Sequence, residues 1–175
     1  SFVLGTNGTL QVKGVKNGFI DSQTVSNNFN LTVANPVISP AGAITNNTLN
    51  VTLTSLTAGA RLYWTIDGTV PSPTEGILYT NTFVLRTNGT LQVKGFKNGF
   101  VDSQTISNNF NLAVADPVIS PAGATTNNTV NVTLTSLTAG ARLYWTIDGT
   151  VPAPTNGFLY TSSFVLGTNG TLQVK

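Results

Sequence analysis

The chain contains no cysteine, no methionine and no histidine, and only 8% of its 175 residues are charged. Without Cys no disulfide can staple a small fold. Without Cys or His the ordinary zinc ligand sets are missing, as are the Ser/His and Cys/His pairs of nucleophilic catalysis. The acidic residues, Asp21, Asp67, Glu75, Asp102, Asp116 and Asp148, occur singly at turns or near the ends of apolar runs. Glycoside hydrolysis needs two carboxylates flanking one bond, so neither an enzymatic activity nor a cofactor or metal is expected. A net charge of +2 is spread over Lys13, Lys16, Arg61, Arg86, Lys94, Lys97, Arg142 and Lys175. These form no basic cluster able to neutralise a phosphate backbone, and no nucleic-acid partner is expected. No run approaches the ~20 apolar residues that cross a bilayer, so no membrane span is expected in these residues.

What the chain does have is repetition. Ser1–Asn81 and Thr82–Ser162 differ at only 13 of 81 positions, so no single residue is a unique site. The sequence starts and stops in mid-pattern, which suggests a window on a longer repetitive chain. Abundant Thr, Asn and Gly with little charge suit an extracellular or cell-surface protein.

Helical periodicity is missing. Period-2 alternation recurs instead in short runs separated by Gly, Asn, Asp and Pro, the pattern of an all-β module. Seven strands per period are expected: Pro36–Ser39, Leu49–Leu53, Ala60–Ile66, Ile77–Tyr79, Thr82–Leu85, a strand through Leu91–Val93, and Gln104–Ala115. In Ala60–Ile66 the alternation places Leu62, Trp64 and Ile66 on the core face and Arg61, Tyr63 and Thr65 on the other. Asp67-Gly68 supplies a tight turn, Asn88-Gly89 is predicted to be a hairpin turn, and Asn98-Gly99 ends the following strand. Seven short strands in about 80 residues point to tandem immunoglobulin-like β-sandwich modules with an 81-residue period. Trp64 and Trp145 are then large core residues of central strands.

Boundaries fall at Ala34-Asn35-Pro36 and Ala115-Asp116-Pro117, where one module meets the next with almost no linker. Proline fixes its own φ and extends its predecessor, so a short, stiff joint is expected. Residues 1–34 are the C-terminal strands of a preceding module, 35–115 a complete module, and 116–175 a module lacking its last strand.

The segment from Arg61 to Pro71, with Tyr63-Trp64-Thr65 followed by Asp67-Gly68-Thr69, recurs at Arg142–Pro152. Together with Leu78-Tyr79-Thr80, Phe83-Val84-Leu85 and Thr90–Lys94 it resembles the chitobiase/β-hexosaminidase C-terminal domain family. The resemblance covers essentially the whole period and implies an Ig-like sandwich appended to, or repeated in, secreted and surface proteins. Hexosaminidase chemistry belongs to a separate catalytic domain in that family, so no activity carries over. The chain departs from the usual pattern at Trp64, where Tyr is common, and at Gln92-Val93-Lys94.

Two kinds of site emerge. Asn-x-Ser/Thr acceptors occur at Asn7, Asn30, Asn46, Asn50, Asn88, Asn127, Asn131 and Asn169, and could carry glycans on an exported protein. A candidate assembly strand comprises Val25, Phe29, Leu31 and Val33. Residues 116–175 lack the counterpart of Gly95–Ala115, whereas residues 14–34 carry it. Leaving those side chains exposed would forfeit roughly 1.5 to 3 kcal/mol each. Head-to-tail continuity with a second copy, or within one long repeat chain, is therefore expected. Differences between copies such as Gly5/Arg86, Val15/Phe96, Ile77/Phe158 and Glu75/Asn156 fit either drift at exposed positions or modules that meet different neighbours. The expected function is a structural repeat of an extracellular fibre, filament or stalk. The alternative is an adhesive or carbohydrate-binding repeat using outward residues such as Tyr63 and Tyr144.

Overall fold

A computed structural model describes residues 1–175 as all β, with no helix. The strands are β1 (Gly8–Val12), β2 (Val25–Phe29), β3 (Val37–Ser39), β4 (Ala43–Thr45), β5 (Leu49–Thr54), β6 (Arg61–Thr65), β7 (Ile77–Leu78) and β8 (Phe83–Leu85). They continue as β9 (Gly89–Phe96), β10 (Ile106–Leu112), β11 (Val118–Ser120), β12 (Val130–Thr135), β13 (Tyr144–Thr146), β14 (Phe158–Leu159), β15 (Phe164–Leu166) and β16 (Gln173–Val174). The chain forms two compact units, residues 1–43 with 49–111, and residues 44–48 with 112–175.

In the first unit a sheet of order β3-β5-β8 faces a sheet of order β4-β10-β9-β6-β7. Alternate residues of each aim into one core: Ile38, Val51, Leu53 and Leu85 from the first sheet meet Leu62, Leu91, Val93 and Phe110 from the second. This is the Ig-like sandwich expected from the alternation, with two inner faces supplying apolar side chains from strands polar on the outside. Trp64 lies at the edge of this core, its ring stacked on Phe83 at 4.2 Å between centroids and 3° between planes. The second unit repeats the plan with β11-β12-β15 and β14-β13-β16, around Val132, Leu134 and Leu143. Residues 1–34 contribute β1 and β2, which pair only with each other.

Three details differ from the sequence expectation. Asn88-Gly89 is not a hairpin turn: β8 pairs with β5 and β9 with β6 and β10, so the chain changes sheets there. Leu85 and Leu91 both point into the core, which opposite sheets allow them to do from two sides. The last strand is shorter than Gln104–Ala115, because the Gln104 N–H is drawn off to Asn35 Oδ1 at 3.0 Å before pairing begins. Strand β4 was not anticipated; it follows a turn at Gly42 (φ 91°), whose missing Cβ avoids the Asn109 carbonyl.

Tyr63 and Thr65 are also not outward: they are 5% and 6% exposed. The connection after β6 folds back over that face of the sheet, with the Thr65 hydroxyl donating to the Thr69 carbonyl. Gly76 permits this roof, since a Cβ there would stand 3.1 Å from Tyr63 Cβ and 3.0 Å from the Ser72 carbonyl. Alternation predicts one wet face only where nothing covers it.

Candidate assembly site

The β1–β2 hairpin repeats β9–β10 in detail. Val12 faces Val25 and Gly8 faces Phe29, as Val93 faces Ile106 and Gly89 faces Phe110. The Thr9 hydroxyl donates to Asn28 Oδ1 at 2.5 Å, as Thr90 does to Asn109 at 2.7 Å. Ser22 Oγ accepts from the Gly14 N–H at 2.8 Å, and Ser103 Oγ from Gly95 at the same distance. Lys13–Asp21 and Lys94–Asp102 ion pairs, at 3.0 and 3.4 Å, brace the two connections. Register is thus fixed by local sequence. Burial is not: Phe110 is 0% exposed, but Phe29 is 38% and Val25 64% exposed.

Beyond β2 the chain is sealed onto the module that follows. The Leu31 N–H donates to Asn7 Oδ1, and the Leu31 carbonyl accepts from the Val101 N–H at 2.8 Å. The Val33 N–H donates to the Val101 carbonyl at 2.9 Å, and the Asn7 N–H to the Gly99 carbonyl at 2.7 Å. Val33 is 1% exposed and fills a notch left by Gly95, where a Cβ would lie 2.9 Å from its Cγ1. The Ala34 N–H donates to Thr57 Oγ1 at 2.7 Å, and Ser55 Oγ donates to the Ala34 carbonyl at 3.0 Å. In the second unit Ala115 repeats this pattern with Thr138 at 2.8 Å and Ser136 at 3.2 Å, while Thr138 Oγ1 donates to the Asn46 carbonyl at 2.8 Å.

Of the four residues of the predicted strand, then, Leu31 and Val33 reach the seam and Val25 and Phe29 reach no core. The receiving residues Gly95 and Val101 escaped sequence reasoning. One signal was present: a glycine inside an alternating strand often marks close approach of another segment.

The acceptor asparagines are scattered. Asn30, Asn50, Asn88, Asn127, Asn131 and Asn169 are exposed, while Asn7 and Asn46 are half-buried. Asn50 and Asn131 stand mid-strand on β5 and β12, Asn46 and Asn127 accept from their neighbours' side chains at 3.0 and 3.2 Å, and Asn7 is engaged at the seam.

Asp67 and Asp148 close Asx turns. The Thr69 hydroxyl at 2.6 Å, and then its N–H at 3.0 Å, hold the Asp67 carboxyl below its usual range; Thr150 does the same to Asp148. An open groove of about 430 Å³ lies beside this turn, lined by Trp64, Asp67, Glu75 and Ile77. Glu75 and Ile77 are replaced by Asn156 and Phe158 in the next copy, where Phe158 lies 4.9 Å from the Trp145 ring. Tyr144 is half-buried, and Tyr63, offered above as an outward contact, is enclosed.

The sequence profile of the chitobiase/beta-hexosaminidase C-terminal domain matches residues 40–107 and 121–175. The two matches begin at the same point of the period. Among curated proteins no relative of the chain is found.

Proposed function

The chain belongs to the chitobiase/beta-hexosaminidase C-terminal domain family, and on that premise we propose that it serves as a structural repeat of an extracellular fibre, filament or surface stalk. Modules assemble head to tail, the last strand of a sandwich being supplied by the segment equivalent to residues 14–34. What supports this reading is the seam at Ala34-Asn35-Pro36. A flexible linker would leave its backbone to water, whereas here Leu31, Val33 and Ala34 hydrogen-bond to the module that follows, and Asn35 Oδ1 accepts from the Gln104 N–H within it. An array sealed in this way resists bending at each period. The exposed acceptor asparagines suit a glycan coat on such an exported array, and intact mass before and after glycosidase treatment tests that part.

Electron microscopy of negatively stained native material tests the main proposal: thin unbranched fibres are expected. A denaturing gel separates its two forms, subunits giving a band near 18.3 kDa and a continuous repeat chain one very large band. Native material without fibres or stalks counts against the reading.

A second reading, an adhesive or carbohydrate-binding repeat of a secreted or surface protein, is favoured by one observation. Two of the most drastic differences between copies, Glu75/Asn156 and Ile77/Phe158, fall at residues that edge the groove beside Trp64 in the first copy. A glycan array probed with the chain tests it, with binding lost in Trp64→Ala and Trp145→Ala expected if it holds.

A further inference from the structure

Where the chain enters the complete module it runs beside a second stretch of that module, in the same direction. Thr32 and Val101 form a parallel bridge: the Leu31 carbonyl accepts from the Val101 N–H at 2.8 Å, and the Val33 N–H donates to the Val101 carbonyl at 2.9 Å. Two residues further on, Asn35 Oδ1 accepts from the Gln104 N–H at 3.0 Å. Residues 31–35, which lead into β3, are thus tied to residues 101–104, which lead into β10, the last strand of the module.

Direction decides what such a contact can do. In a chain under tension the entering stretch is drawn back toward the N-terminus, while the stretch leading to the exit is drawn forward toward the C-terminus. Parallel stretches pulled in this way slide along each other, and all the bonds between them are loaded together. A pair peeled from one end loses its bonds one at a time. We propose that the contact between residues 31–35 and 101–104 is a shear clamp, a load-bearing element that carries tension along the array. The clamp rests on the continuous-chain form of the structural reading above, and adds a mechanical activity to it.

Both sides of the clamp are anchored. On the entering side Val33, 1% exposed, fills the notch at Gly95, and Ala34 is held by Thr57 and Ser55. On the other side the Ser103 N–H donates to the Gly95 carbonyl at 3.0 Å, and Asp102 pairs with Lys94 at 3.4 Å. Gly95 and Lys94 belong to β9, which lies between β6 and β10, so force entering at Val33 passes into the interior of the five-stranded sheet. Without the clamp it would arrive first at β3, an edge strand of 3 residues paired only with β5.

No native cysteine competes with engineered attachment points. In the full chain, Asn30→Cys/Asn111→Cys puts tension through the clamp, whereas Val37→Cys/Asn111→Cys leaves residues 31–35 unloaded; all three positions are exposed. Forced unfolding reads the unfolding barrier along the pulled direction. At one loading rate in a force spectrometer, the first pair is expected to unfold at the higher mean force. Val33→Ala is expected to abolish that excess in the first geometry and to leave the second unchanged, whereas a residue that only stabilised the module would lower both. Equal forces in the two geometries, or an equal fall in both with Val33→Ala, overturn the clamp. Either result leaves the structural reading standing, since that reading falls on native material without fibres or stalks.

Discussion

Residues 36–94 and 117–175 carry almost the same sequence, yet their interiors differ in one half and agree in the other. Val51, Leu53 and Leu62 are as enclosed as their counterparts Val132, Leu134 and Leu143. Ile38, Tyr63, Leu85, Leu91 and Val93 are enclosed, whereas Ile119, Tyr144, Leu166, Leu172 and Val174 are half-buried. β9 runs for 8 residues and β16 for 2; β4 has a coil, residues 124–126, in its place. In the first unit β10 lies beside β9 and β4 and places Phe110 at the centre of the core. The half of the sandwich built by β5 and β6 forms from its own residues, and the half around β9 depends on the last strand. In the first unit that strand is a long-range partner, and it pairs only after the loops between have closed.

The largest test of that division is at the phenylalanines. Phe110→Ala should lower the stability of the first unit by about 3–5 kcal/mol, whereas Phe29→Ala in the monomeric chain should cost under about 1 kcal/mol, both read by urea denaturation. Equal losses would mean that β2 is packed as β10 is. Next come the leucines of the duplicated strand. Leu91→Ala should cost about 2–5 kcal/mol and Leu172→Ala roughly half as much. Equal costs would mean that β16 is packed as β9 is.

Glycine gives a smaller contrast. Gly95→Ala should cost about 1–3 kcal/mol, because the new methyl meets Val33 and Leu62 in an occupied notch. Gly14→Ala, at the equivalent position, meets only Ser22 at ordinary contact distance and should change stability by no more than about 0.5 kcal/mol.

The smallest effect should not distinguish the modules at all. Asp67 and Asp148 are held below their usual value of 3.8 by Thr69 and Thr150, so folding favours both carboxylates. The stability they lend is complete above the unfolded pKa and is lost as pH falls through the lowered folded pKa. Asp67→Asn and Asp148→Asn should flatten the acid limb of the stability profile to the same slight extent. A difference between them would show that the two turns are not equivalent.

Much of the fold was legible because the sandwich is written in short-range alternation. Leu49-Val51-Leu53 and Leu91-Val93 announce inward faces, and the Asp67-Gly68 turn is set by its own two residues. What was hidden depends on partners distant in sequence. Nothing in Phe83–Val93 tells whether two strands face each other in one sheet or across two. Tyr63 looks outward until the residues after Asp67 fold over it, and the short β4 has a single small core residue, Ala43. The candidate strand was visible as Val25, Phe29, Leu31 and Val33, but its division into a seam end and a free end was not. That division is made by Gly95 and Val101, more than 60 residues away.

The notch at Gly95 and the valine that fills it both recur with the 81-residue period, as Gly14 and Gly95 and as Val33 and Val114. A gene that gains or loses a whole period by unequal crossing-over therefore gains or loses one lock together with one key. In an array of the kind proposed above, length then changes in fixed steps, and no joint has to be redesigned.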